Sequence, residues 1–333
     1  MKPSASYSKL GSRPVAGAGS SRREVLPALA AESPPAPEIA VPDLENEATA
    51  GEVVHRAIAA SVARLIRYDP IARLGEDPAG VHQARVATRR LRSDLRTFRS
   101  LVDDAWSISL RTELGWLAGI LGGVRDGDVL LERLRNRTSE LHESERVGAA
   151  EVIATLQDDR DAAHTSMLWT FRSRRYQELL DTLVAGAEAP RLNQTADARA
   201  TKIVPELVRR PWRRLARAAG ALGECPPDEE LHEVRVRAKR VRYAAEAASS
   251  IVGAPAKEFA RAAARVQNCL GELNDAVVAE RWLEEWTRQW RPFDAAQAAE
   301  TLAALERSAA ERARKSWRAP WEELSSPKLR EWM

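Results

Sequence analysis

Val81-His82-Gln83-Ala84-Arg85-Val86-Ala87-Thr88-Arg89-Arg90-Leu91-Arg92 returns later in the chain as Leu231-His232-Glu233-Val234-Arg235-Val236-Arg237-Ala238-Lys239-Arg240-Val241-Arg242. His82 and His232 are 150 residues apart. A second phrase comes after each copy. Leu121-Gly122-Gly123-Val124-Arg125-Asp126 returns as Leu270-Gly271-Glu272-Leu273-Asn274-Asp275, with Gly122 and Gly271 149 residues apart. Upstream, Arg64-Leu65 and Arg67 match Arg214-Leu215 and Arg217 at the offset of 150. Phrases recurring at nearly one offset mark an internal duplication. The repeated residues are histidine and arginine, which belong to surfaces and sites more often than to cores.

On a helical wheel of about 100° per residue, His82, Arg85, Arg89, Arg92 and Arg96 share one face. Ala84, Ala87, Leu91, Leu95, Phe98 and Val102 fall opposite them. The second copy repeats the pattern with His232, Arg235, Lys239 and Arg242 backed by Val234, Val241, Ala245 and Ala248, and Arg90 and Arg240 flank the rails. Like charges at i, i+3, i+4 and i+7 repel one another, and a solvated helix face normally relieves this with interspersed acids. Here six arginines between His82 and Arg99 face a single acid, Asp94. For one copy, a solvated basic face is the bland and adequate reading. For two matched copies, the better expectation is that the rails line a shared groove. Arginine suits phosphate through its planar fork, and His82 and His232 would add donors if a polyanion drew protons onto them.

Composition sets the frame. The 333 residues hold 51 basic and 48 acidic side chains, a net charge of +3 that hides local segregation. Concentrated basic faces point to an anionic partner such as phosphate, nucleic acid or acidic lipid. Two cysteines, Cys225 and Cys269, have neither disulfide-framework nor zinc spacing. No apolar run is long enough to span a bilayer, so no membrane partner is expected and a reducing cytoplasm fits. Ser21-Arg22-Arg23-Glu24-Val25-Leu26 is weakly similar to a twin-arginine signal, but its apolar run is broken by Pro27.

Residues 1–46 are rich in Ser, Pro and Ala and read as a disordered tail. Beyond them Ala, Leu, Arg and Glu dominate and strand patterns are missing, so the fold class is all-α. Asp77-Pro78 marks a helix start, and Pro227-Asp228-Glu229-Glu230 its counterpart. Gly122-Gly123 and Gly271 read as helix stops, with Asp126 and Asp275 capping the next helices. The expected architecture is two tandem four-helix units, over about 47–190 and 195–322, with a C-terminal tail at 323–333.

Other constellations carry less. His55, His142 and His164 have no duplicate and read as incidental. Trp282, Trp286 and Trp290 form a stripe that reads as packing. Arg209-Arg210-Pro211-Trp212-Arg213-Arg214 suits nucleic acid, or simply solvates a helix start. No phosphate loop, nucleophile elbow, catalytic triad or metal-ligand spacing is present, so neither catalytic residues, cofactor nor metal is expected.

The repeated phrases resemble the signatures of the conserved-histidine α-helical domain family, CHAD. The family pattern H-x-x-R-V is met at His82, Arg85 and Val86. Its second-half form is met at Leu231-His232, Arg235, Lys239-Arg240 and Arg242-Tyr243, and its L-G-x-x-R-D-x-D-V at Leu121-Gly122, Arg125-Asp126 and Asp128-Val129. The resemblance implies a CHAD domain over 47–322, two four-helix bundles related by a pseudo-two-fold around a basic groove, and non-catalytic binding of inorganic polyphosphate. It implies that His82, Arg85, Arg89, Arg90, Arg92, Arg96, His232, Arg235, Lys239, Arg240 and Arg242 carry the binding. Association with polyphosphate granules is an extension of that reading. Other polyanions, nucleic acid first, are the alternative partner, and a polyphosphate-processing enzyme is a further one. The oligomeric state is left open. This chain departs from the pattern where Glu246 stands in place of Arg96 and Val277 in place of Asp128. Many relatives carry a triphosphate-tunnel domain with an E-x-E-x-K motif; Glu45-Asn46-Glu47-Ala48-Thr49 lacks the lysine, so a stand-alone module is expected. The first copy, with the fuller rail, is expected to carry more of the binding.

Overall fold

Thr49 and Glu52 open the first helix with a reciprocal capping box. The Glu52 amide donates to the Thr49 hydroxyl, and the Thr49 amide to the Glu52 carboxylate at 2.7 Å. The computed structural model describes residues 37–45 and 47–333. Most of the expected tail and the twin-arginine-like segment lie outside the described residues. Helix α1 spans Ala50–Leu74, α2 Pro78–Thr97, α3 Asp104–Thr138, α4 Glu143–Phe171 and α5 Arg174–Glu188. The second half continues with α6 Ala200–Gly220, α7 Asp228–Val252, α8 Ala254–Thr287, α9 Phe293–Ser316 and a short α10 Arg318–Leu324. No β-strand occurs among the described residues, only isolated bridges. The all-α expectation holds.

The helix starts keep the register read from the sequence: Ala50 and Ala200, Pro78 and Asp228, Asp104 and Ala254, and Glu143 and Phe293 are each 150 residues apart. The halves also clasp reciprocally. The Ala50 amide donates to the Ala198 carbonyl at 2.8 Å, and the Ala200 amide to the Ala48 carbonyl at 3.0 Å. Each bond is the other with the halves exchanged, the pattern a two-fold contact produces.

The halves share their cores. One apolar cluster runs through Leu65, Leu91, Leu95, Leu117, Val208, Leu215, Val234, Val241, Phe259 and Val266. A second, at the far ends of the long hairpins, joins Leu130, Leu134, Val152 and Leu156 to Leu283, Trp286, Ala298 and Leu302. The backing faces of both His helices are buried as expected, from Ala84 to Phe98 and from Val234 to Ala248. The segment after 322 lies against the shared core: Trp332 meets the Phe259 ring edge-on, and Arg330 lies over Trp212. Trp282 and Trp286 pack inside, whereas Trp290 is 89% exposed, so the tryptophan stripe ends one turn early.

Two expectations are overturned. Gly122-Gly123 and Gly271 do not stop helices: α3 and α8 run straight through them. Asp126 and Asp275 are therefore mid-helix residues rather than caps. Long apolar stripes on both sides of these glycines, from Leu110 to Leu134 and from Phe259 to Leu283, hold the helices continuous and outweigh the roughly 1 kcal/mol propensity cost of each glycine. The histidines without duplicates have structural places. His164 is buried and its Nε2 lies 3.0 Å from the Ala72 carbonyl, filling the space above Gly75, whose φ of +72° closes α1.

Glu306 of α9 is fully buried and receives Arg133 Nε at 2.6 Å and Arg137 Nε at 3.0 Å from α3. It links the hairpins of the two halves. Removing one member of a buried ion network strands the others, at a cost of about 3–5 kcal/mol. Glu306→Ala is expected to lower unfolding free energy by about 3 kcal/mol, read as a reduced urea midpoint; an unchanged midpoint would show that the bridge is not needed.

Candidate functional site

Helices α2 and α7 pack across one another, which brings the two rails face to face. Each rail is seated on the helix that comes after it. Arg85 Nη1 donates to the Gly122 carbonyl at 3.0 Å and to Asp126 Oδ1 at 2.7 Å. A Cβ at Gly122 would come within 3.3 Å of that guanidinium, and one at Gly115 within 3.3 Å of Arg92. In the second half Arg235 lies over Gly271 in the same way. The Leu-Gly phrase is thus the floor on which an arginine from the preceding helix lies flat. Sequence reasoning saw the glycines and misread their purpose, because a glycine that ends a helix and one that makes room for a neighbour look alike.

Electrostatics divide the arginines into two classes. Burial opposes the charge on Arg133, but Glu272 and Glu306 hold its guanidinium well above the ordinary value. Arg160 is likewise held up, against burial, by Asp128 at 2.8 Å. At Arg89, Arg96 and Arg240 the sign reverses. Burial, then Arg85, and Arg235 from the other half push Arg89 down, with Tyr243 and Asp126 pulling the other way. Burial together with Arg240, Arg111, Arg92 and Arg214 pushes Arg96 down to about 10. Arg240 is lowered by burial, then by Arg237, Arg214 and Arg92. Burial and the charges of Arg125 and Arg85 lower His82, so the free protein keeps this ring neutral near pH 7. His232 differs: its Nδ1 meets Asn274 Oδ1 at 2.9 Å, where the first copy has Arg125.

Lys239 is half-buried on the same face as His232, and Arg92 and Arg96 are exposed. Arg90 and Arg242 turn elsewhere. Both form ion pairs with Glu246, each at 3.0 Å, so the acid that replaces Arg96 in the second copy clamps α2 to α7. These two expected binding residues are structural in the free protein, because a half-buried carboxylate lies within reach of both.

Beyond the rails the structure opens a cleft of about 810 Å³ between the end of α2, the start of α3, α6 and α7. Arg96, Arg111, Arg210, Arg214, Arg237 and Arg240 line it. Arg210 and Arg214 come from the basic segment that also read as a solvated helix start. Arg111 was missed, although its duplicate Arg261 stands 150 residues on. The rim acids are engaged already: Asp103 accepts the Trp106 amide at 2.7 Å, and Asp104 pairs with Arg99 at 2.8 Å. Among the described residues no cluster of three or more His, Cys, Asp or Glu side chains is placed to hold a metal. No helix among them is long and apolar enough to cross a membrane.

Under the crossing lies Asp94, fully buried, with neither carboxylate oxygen hydrogen-bonded. Burial raises it to about 8, Glu246 adding to the shift and Arg90 opposing it. The group is protonated in the folded protein at neutral pH and ionised in the unfolded chain. The stabilisation it gives is therefore complete below about pH 4 and is lost as pH rises towards 8. Asp94→Asn, which keeps the shape without the charge, is expected to flatten the decline in Tm between about pH 5 and pH 8.5 and to raise Tm at the upper end. Parallel pH curves for the two proteins would refute a buried protonated carboxyl.

The sequence profile of the family described as the CHAD domain matches residues 56–284. Two curated relatives from Mycobacterium tuberculosis strains, Uncharacterized protein MT2285 and Uncharacterized protein Rv2226, are each 33% identical over 241 residues. The match takes in 69% of this chain and 44% of each relative, so it spans less than half of their length. Among solved structures, PptA from Streptomyces chartreusis superposes with a TM-score of 0.68 at 25% identity, covering 83% of this chain and 100% of that one. The CHAD domain from the plant Ricinus communis superposes with a TM-score of 0.71 at 26% identity, covering 89% and 97%.

Proposed function

The chain belongs to the CHAD domain family, and we propose that it binds inorganic polyphosphate, without catalysis, in the groove between its two cationic rails. The observation that carries this reading is the sign of the arginine shifts. Arginines that serve the fold sit beside acids, which favour their charge. Arg89 and Arg96 of the first rail sit beside other arginines, and burial together with those charges disfavours it. A folded protein that holds like charges together gains free energy when a polyanion arrives, and a linear chain of phosphates can track both rails at once. We assign ligand contact to His82, Arg85, Arg89, Arg92 and Arg96 from the first copy and to His232, Arg235, Lys239 and Arg240 from the second. Arg90 and Arg242 support them by gripping Glu246. Association with polyphosphate granules in the cytoplasm is a consequence of the same affinity.

The first copy carries more charge at the groove: Arg96 and Arg125 stand where the second has Glu246 and Asn274. Arg85→Ala/Arg89→Ala is expected to weaken long-chain polyphosphate binding more than tenfold near 0.1 M salt, and Arg235→Ala/Lys239→Ala by less. The logarithm of affinity should fall linearly with that of salt, and more shallowly in both variants, because fewer counterions are released. Wild-type affinity in both variants would sink the assignment. Preference for single-stranded RNA over polyphosphate would replace the ligand, and phosphate release on adding Mg²⁺ or Mn²⁺ would replace binding by hydrolysis.

The neutral His82 ring adds a proton linkage. A polyanion in the groove offsets Arg85 and Arg125 and favours the imidazolium. Binding should therefore take up a proton, and affinity should rise as pH falls below about 7. Calorimetry in buffers of different ionisation enthalpy reads this uptake, and it should shrink in His82→Gln. Equal heats in all buffers would contradict it.

A further inference from the structure

The arginine cleft has a twin. A second cavity, about 180 Å³, lies between α1, α2 and α7, and among its lining are Ala60, Ser61, Arg64, Ala87 and Arg90. Their counterparts 150 residues on are Arg210, Pro211, Arg214, Arg237 and Arg240, all of which line the large cleft. On the facing helix, Glu246, Ala247 and Ser250 of the small cavity correspond to Arg96, Thr97 and Ser100 of the large one. The two cavities are therefore one feature of the repeat, built twice. They differ most in charge. In the small copy Glu246 reaches Arg90 at 3.0 Å and neutralises it. In the large copy Arg96 occupies the place of that acid, and Arg240 the place of Arg90. Among the described residues, Arg96, Arg111, Arg210, Arg214 and Arg240 form no ion pair with an acid.

We propose that the large cleft is an anion subsite at the end of the rails, sharing Arg96 and Arg240 with them and adding Arg111, Arg210 and Arg214, shaped for a terminal phosphate group with its neighbouring phosphates, and that Glu246 abolishes the same capacity in its twin. The proposal rests on the reading that this protein binds phosphate polyanions. Its own argument is charge density. A phosphate within a chain carries one charge, whereas a terminal one carries about 1.5–2 near pH 7. A pocket ringed by unpaired guanidinium groups favours the more highly charged end. The forked arginine donors also match the oxygens of a free end, which a bridging phosphate has in smaller number. Ser100 at the wall adds a hydroxyl donor, whereas the Thr97 hydroxyl donates to the Ser93 carbonyl at 3.0 Å. Two sources supply this chemistry: the end of an inorganic chain and the triphosphate of a nucleotide.

The test is calorimetric titration of the full chain with linear tripolyphosphate at fixed salt. Arg96→Glu, which installs the arrangement of the small cavity, and Arg210→Ala/Arg214→Ala are each expected to weaken binding at least tenfold. Cyclic trimetaphosphate, which has no chain end, should bind at least tenfold more weakly than tripolyphosphate. Long-chain polyphosphate, held by the rails, should lose less than threefold in Arg210→Ala/Arg214→Ala. Tripolyphosphate affinity unchanged in Arg210→Ala/Arg214→Ala, or trimetaphosphate binding equal to it, overturns the proposal. So does an equal loss of long-chain and tripolyphosphate affinity in that variant, which would make the cleft a stretch of the rails. ATP binding with the affinity of tripolyphosphate assigns the occupant to a nucleotide, and ATP exclusion assigns it to a chain end; both support the subsite. Rail variants that leave long-chain binding intact, while the cleft variants still lose tripolyphosphate, refute the proposed function and keep the cleft.

Discussion

Like charges held together across the α2–α7 crossing set the terms for the rest of this molecule. Arg89 is pressed by Arg85 and Arg235, and Arg96 by Arg240, Arg111 and Arg214. Such a surface persists only because other interactions position it at their own cost. Apolar backing on both helices is one: Leu91, Leu95, Val234 and Val241 are all at most 1% exposed. The Glu246 clamp on Arg90 and Arg242 is a second. The glycine floors beneath Arg85, Arg92 and Arg235 are a third, because they let guanidinium groups lie against backbone instead of swinging away. Repulsion stored in this way is what an anion bound as proposed would relieve.

The two halves are related but unequal, and the inequality lies in a few polar positions. Arg96 against Glu246 separates a large cleft of unpaired arginines from a smaller cavity in which Arg90 is held by the acid. Arg125 against Asn274 separates a histidine held neutral by burial and then by neighbouring charge from one hydrogen-bonded to an amide. Asp128 against Val277 gives the first half an ion pair with Arg160 that the second half lacks. The shared apolar core fixes the frame of both halves, so single polar exchanges can redistribute charge without disturbing the packing.

Much of this was legible in the sequence. Composition and the 150-residue echo gave an all-helical chain with matched helix starts, and the wheel sorted the His helices correctly into a buried and a cationic face. Short-range signals failed where a residue's role depends on a partner distant in sequence. Gly122 looked like a stop and is a seat for Arg85, 37 residues earlier. Asp126 looked like a cap and is the counter-ion of the same arginine. Arg111 and Arg237 were passed over because the first lies outside the repeated phrases and the second falls outside the rail pattern.

The sequence by itself determined that the chain is helical, which faces of the His helices are apolar, and that a cationic face occurs twice. Those properties arise from spacing along one helix, and spacing is visible in a string of letters. Only the tertiary structure decided which of the charges meet an acid and which are left facing other cations. Arg90 and Arg240 occupy the same place in the repeat, yet one meets Glu246 and the other meets Arg96. The difference is set by what stands across the helix crossing. Coulombic energy depends on distance through space, and the fold alone brings residues some 150 positions apart to within a few ångströms.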